Sequence, residues 1–166
     1  MITASVSIGD EQKEILYRLT EAQLRKFLER QSNNLVAQAR RNIKNAGTKA
    51  SSKWEPLSKA YAKRKKEGKT PGHGRVKYGM LRDTEELIGA LIGVVEIAPG
   101  MERVSLGLTA EGQTGDRPSN AELLVMHAEG AGNLPPRNPA DDMRVFESRF
   151  EVDLQRFLEA KEKKTA

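Results

Sequence analysis

The sequence predicts an α+β fold: a small, mostly antiparallel sheet with a long N-terminal helix and a C-terminal helix packed on it, plus a long basic loop. Three patterns predict it. Apolar residues alternate with polar ones over Ile2, Ala4, Val6 and Ile8, the period of a half-buried strand. They recur at helical spacing from Leu16 to Ile43 and again from Phe146 to Leu158. Two aliphatic, β-branched segments, Ile92–Ala98 and Arg103–Leu108, flank Pro99-Gly100, the dipeptide of a type II turn, and read as a hairpin.

In chain order, Gly9-Asp10 ends the first strand. A helix unbroken from Asp10 to Ala46 would be about 55 Å long, against a diameter of about 40 Å for a compact chain of this size. It is therefore expected to break, and Thr20 with Gln23 fits a capping box there, with a short helix before Thr20 and a long one after it. Asn45-Ala46-Gly47 stops the long helix. Its stripe of Leu24, Phe27, Leu28, Leu35 and Ile43 is expected to pack on the sheet that holds the hairpin. From Gly47 to Gly79 the chain has little apolar periodicity apart from Trp54-Glu-Pro56-Leu57 and a weak helical stretch over Ser58–Lys66, so it reads as a flexible basic loop. Asp83 or Thr84 caps a short helix with Leu87, Ala90 and Leu91 on its apolar face. Ser119 or Asn120 starts a helix to about Glu129, and Gly130–Pro139 reads as a second irregular stretch. Phe146, Phe150, Leu154, Phe157 and Leu158 mark the C-terminal helix, expected to fray over Lys161–Ala166.

At 166 residues with 37% hydrophobic content, the chain is expected to form one domain with a modest core, residues 47–79 being the loop within it. No apolar run is long enough for a membrane span, and Met1–Gly9 lacks the pattern of a secretory signal, so a cytoplasmic origin is expected. The absence of cysteine excludes disulfides, thiolate metal cages and Cys nucleophiles.

Charge is unevenly spread. Arg40–Arg82 carries 14 Lys/Arg against 2 Asp/Glu, while the rest carries 14 against 21, so a +12 segment sits on a −7 remainder. Such a segment suits a polyanion or an acidic face on a neighbouring copy; a plain solvated loop is the bland alternative. Its cations Lys53, Lys63, Arg64, Lys65, Lys66, Lys69, Arg75 and Lys77 are the expected interface or DNA-facing residues, with Trp54 and Leu57 as apolar anchors among them. Trp54 reads first as a core plug, with an interface anchor as the alternative.

Catalytic chemistry is hard to find. His73 and His127 lack the spacing of metal motifs, and Glu85-Glu86 and Asp141-Asp142 are adjacent pairs that diverge on a helix and suit capping. Gly72-His73-Gly74 lacks the remaining residues of a phosphate cradle. No enzyme activity, metal or cofactor is expected.

The order Trp54-Glu-Pro56-Leu57-Ser58, Lys63-Arg64-Lys65, Leu81-Arg-Asp-Thr84-Glu-Glu-Leu87, the hairpin, His127-Ala-Glu-Gly130 and Leu134-Pro135-Pro136-Arg137 resembles the phage virion-morphogenesis family. That family supplies tail-completion and head–tail joining proteins of tailed bacteriophages. The resemblance covers about Arg40 to Phe150, and its strength lies in the order of the motifs. It implies a curved sheet crossed by a long helix, and a subunit of a homo-oligomeric ring, expected to be a hexamer, at the tail end or neck. Its implied partners are copies of itself, tail-tube and head-neck proteins, and genomic DNA in the lumen, with no membrane. Its implied location is the virion, and the host cytoplasm during assembly. His127, Gly130 and Arg137 match family positions read as structural or interfacial. Thr84-Glu85 and Asn138-Pro139 depart from the family's usual Thr-Gly and Pro-Phe.

A ring needs two different complementary faces per subunit, which the charge asymmetry offers. The basic loop facing a lumen would also meet DNA phosphates without sequence preference. The apolar anchors Trp54, Pro56 and Leu57 favour docking on an acidic neighbour over DNA contact. A stand-alone, sequence-independent nucleic-acid-binding protein is the alternative from another class, and an unrecognised small hydrolase is a third.

Overall fold

The computed structural model describes residues 2–4, 19–46, 54–67, 86–98, 104–112, 118–130, 135–140 and 144–165. Its elements are β1 (Ile2–Ala4), α1 (Glu21–Ala46), α2 (Lys59–Lys66), α3 (Glu86–Ala90), β2 (Leu91–Ile97), β3 (Val104–Ala110), α4 (Asn120–Glu129) and α5 (Arg144–Thr165). The fold is α+β, with a three-stranded sheet in the order β1-β3-β2, antiparallel at both pairings.

The capping box expected at Thr20 is present. The Thr20 N–H donates to Gln23 Oε1 at 3.2 Å, and the Gln23 N–H donates to Thr20 Oγ1 at 3.3 Å. Two otherwise orphaned backbone donors are thereby satisfied, and α1 begins there. Its apolar stripe divides between two core clusters. Leu24, Phe27, Leu28 and Leu35 meet Leu106 of β3 and Phe146, Phe150 and Leu154 of α5, whereas Val36, Ala39 and Ile43 meet Trp54, Ile88, Leu91, Leu108 and Leu124. Both long helices therefore pack on the sheet. Phe27 holds the first cluster together, with its ring 5.4 Å from Phe150 at a steep angle and 5.2 Å from Phe157.

Gly93 lets α1 approach the sheet closely. A Cβ at Gly93 would lie 2.7 Å from Ser32 Cβ and 2.8 Å from the Ser32 carbonyl oxygen, so only hydrogen fits there. Two polar links also hold α1. Gln31, itself buried, donates to Asp153 Oδ2 of α5 at 3.1 Å, and Asn42 donates to the Pro139 carbonyl at 3.0 Å. Arg40 spans the short helix end: Nε donates to the Ile88 carbonyl at 3.0 Å, and Nη2 to those of Gly89 and Leu91 at 3.1 Å each. These carbonyls end α3 and open β2, where the helix leaves acceptors without internal donors.

The hairpin pairs as expected, with shifted ends. β2 begins at Leu91 and β3 runs on to Ala110, because the Glu111 N–H donates to the Ala90 carbonyl at 2.9 Å and prolongs the ladder. The C-terminal helix continues to Thr165 where fraying from Lys161 is expected, and Lys161 Nζ lies 5.7 Å above the Phe157 ring. Strand residues 5–8, the short helix before Thr20, the caps Asp83 and Thr84, the Pro99-Gly100 turn and the Asp141-Asp142 pair lie outside the described residues. Among the described residues, no helix is long and apolar enough to cross a membrane.

Candidate interaction surface

The surface is built around α2 and the five residues that lead into it. Trp54 is 7% exposed and joins the second core cluster, and Leu57 packs against the same cluster while half-buried. Between them, the Glu55 carbonyl accepts from Arg137 through Nε at 3.4 Å and Nη2 at 3.2 Å. Arg137 is 5% exposed, and its own N–H donates to the His127 carbonyl at 2.6 Å at the end of α4. One arginine thus joins the end of α4 to the lead-in of α2. Burial pushes its pKa below the ordinary arginine value, and the nearby Glu55 and Tyr61 oppose that shift, so its cation is held by neighbours as well as by hydrogen bonds.

α4 supplies a firm base for the clasp. Ser119 caps it with a complete capping box: the Glu122 N–H donates to Ser119 Oγ at 3.2 Å and the Ser119 N–H to Glu122 Oε2 at 2.8 Å. The Ser119 N–H and the Ser119 hydroxyl both donate to Glu122 Oε2 and favour the ionised carboxylate, the backbone donor contributing most to lowering its pKa. Leu124 and Ala128 turn the other side of the helix into the interior.

Ser58 starts α2, accepting from the Tyr61 N–H at Oγ (3.3 Å) and from the Ala62 N–H at its carbonyl (2.8 Å). Tyr61 and Ala62 are half-buried, which fixes the inward side of this helix. Lys59, Lys63, Arg64 and Lys66 are exposed. Arg64 Cζ lies 5.9 Å from the Tyr61 ring centroid, and Lys63 Nζ lies 4.0 Å from Glu67 Oε1, a loose contact between exposed groups.

The residues singled out in the sequence therefore separate. Lys63, Arg64 and Lys66 are brought together on α2, which also carries Lys65. Trp54 and Arg137 face inward, each completing the subunit's own interior, which is the core-plug reading of Trp54 and the structural reading of Arg137 in place of the interfacial one. Lys53, Lys69, Arg75 and Lys77 lie outside the described residues. Residues 54–67 of the segment read as a flexible loop form the docked lead-in and α2, and the remainder of 47–79 lies outside the described residues. Two contributors were missed. Arg40 was counted among the basic residues although it serves the α3 end, and Lys59 was passed over although a cation just after the Ser58 cap is readable from helical spacing.

No family model, curated protein or solved structure matches the chain. Among the described residues, no group of three or more His, Asp or Glu side chains is placed to hold a metal ion.

Proposed function

We propose that the chain is a structural subunit of a bacteriophage virion, a tail-completion, tail-terminator or neck protein that closes with copies of itself into a ring joining tail to head. One observation carries the reading. The motifs that resemble the virion-morphogenesis family are scattered over more than eighty positions, yet several meet around the second core cluster. Trp54 and Leu57 of the first motif pack there with Leu87 of the third, and Arg137 of the last bonds both Glu55 of the first and His127 of the motif just before it. Segments that share one packing unit are energetically coupled, so a substitution in one of these motifs is felt by the others.

The unit explains what a ring subunit needs from these motifs. Ring contacts repeat between identical copies, so the subunit must hold one geometry in every copy. A buried tryptophan and a buried arginine bonded to two backbone carbonyls fix a surface segment that has few apolar groups of its own. In this reading the location is the virion, and the partners are further copies, tail-tube and head-neck proteins.

A stand-alone nucleic-acid-binding protein is the second reading, favoured by the cations exposed on α2. Negative-stain imaging of the purified chain separates the two. Annular particles with a central opening are expected for the ring subunit, and a field of single small particles contradicts it.

A further inference from the structure

We infer that α2 is a contact for the phosphate backbone of duplex DNA, with Trp54 and Arg137 as the residues that position it. Within the ring reading, this assigns the side of the subunit that faces the genome as it passes through.

Lys59, Lys63 and Lys66 recur at i, i+4 and i+7, so they share one face of α2, and Arg64 extends that face. All four are exposed, and no acidic residue lies within the helix. Glu67 follows it and lies 4.0 Å from Lys63, one carboxylate beside four cations, so the segment keeps a net positive charge.

A protein partner and a phosphate backbone ask for different surfaces. A protein interface needs an apolar centre, and lysine is depleted there. The apolar groups that would have formed such a centre are engaged inside the subunit: Trp54 in the core, Leu57 half-buried against it, Tyr61 and Ala62 on the inward side of α2. Among the described side chains of α2, those exposed are Lys59, Lys63, Arg64 and Lys66, with Ala60 between them. Phosphate contact requires cations alone and no sequence-reading side chain, and this face offers that chemistry.

The Arg137 clasp gives the cations a fixed position. It anchors the carbonyl of Glu55, four residues before Lys59, and Ser58 begins the helix with both its hydroxyl and its carbonyl. A helix on a fixed base loses less freedom when it meets DNA than an unanchored basic tail would.

The test compares two triple variants of the full chain that carry the same change in net charge. One has Lys59→Glu, Lys63→Glu and Arg64→Glu on α2. The other has Arg149→Glu, Arg156→Glu and Lys163→Glu at exposed positions of α5. Binding to a random-sequence duplex is followed by fluorescence anisotropy over a range of salt, with far-UV circular dichroism confirming that both variants fold.

The wild-type logarithm of affinity is expected to fall linearly with the logarithm of salt, and the α2 variant to lose about 2–3 units of that slope, at about 0.9 per phosphate contact removed. The α5 variant is expected to keep most of it. Equal losses in the two variants overturn the inference by assigning the binding to net charge. An unchanged α2 variant overturns it outright. So does an α2 variant that keeps DNA affinity but stops associating with itself, which would give the surface to an acidic neighbouring copy. Particle mass is read separately, so a wild-type chain that forms rings but shows no salt-dependent DNA affinity removes this inference while leaving the ring reading standing.

Discussion

The guanidinium of Arg137 holds the backbone of Glu55 through two hydrogen bonds to one carbonyl, at 3.4 and 3.2 Å, across 82 positions of sequence. The contact makes the surface helix α2 depend on a residue beyond α4. Replacing Arg137 with Met keeps much of the side chain's bulk and removes both bonds. Unfolding stability is expected to fall by about 1.5–3 kcal/mol, the range for hydrogen bonds from a charged donor. Amide exchange in 59–66 is expected to rise more than in α5, as read by hydrogen-exchange mass spectrometry. Equal changes in the two helices would show that the clasp does not position α2.

Gly93 and Gly89 are expected to respond in opposite directions to the same substitution. A Cβ at Gly93 meets the Cβ and backbone oxygen of Ser32, so α1 must move off the sheet, and Gly93→Ala is expected to cost about 1–3 kcal/mol. At Gly89 nothing lies within 4 Å, and within a helix alanine is preferred over glycine by about 0.5–1 kcal/mol. Urea unfolding of the two variants measures both. A harmless Gly93→Ala would mean that α1 does not cross the sheet at this point.

Phe27 is the test of the first core cluster. Its ring touches Phe150 and Phe157 of α5 while its helix crosses the sheet, so truncation opens a cavity where the two long helices and the sheet meet. Phe27→Ala is expected to cost about 3–5 kcal/mol in chemical denaturation. A loss below about 0.5 kcal/mol would place that face of α1 in solvent.

The Ser119–Glu122 box gives a pH dependence with a definite sign. The folded state lowers the carboxyl's pKa, so its contribution is present above the ordinary carboxylate pKa and is lost as pH falls through the lowered one. Wild type is therefore expected to be more stable than Glu122→Gln at neutral pH, with the gap closing on acidification. Thermal unfolding across that range checks it, and a gap that stays constant with pH would remove the carboxylate from the account.

How much of this was legible in the sequence depended on whether a feature was local. The Thr20–Gln23 box, the hairpin, the Ser58–Lys66 stretch and the start of α4 rest on neighbours a few positions apart, and their residue types state the geometry. The strand ends and the C-terminal end of α5 were misplaced because a bond from Glu111 to Ala90 and the stacking of Lys161 on Phe157 extend those elements. Trp54 was open between core and interface because no local pattern says which side a lone aromatic takes. Arg137 and Arg40 were unreadable in kind: each is buried or engaged by carbonyls tens of positions away, and a backbone carbonyl leaves no mark in a sequence. The surface cations of α2 were readable, but the inward turn of Trp54 decided which partner chemistry they suit.

Closure into a ring is the central claim, and the mass of the purified chain in solution tests it most directly. Sedimentation equilibrium over a range of protein concentration is expected to find one assembled species at a single fixed multiple of the 18.4 kDa subunit, because a closed ring leaves no free face on which to grow. The α2 triple variant is expected to give the same multiple. A mass of one subunit at every concentration, or a series of masses that climbs without limit, would contradict it.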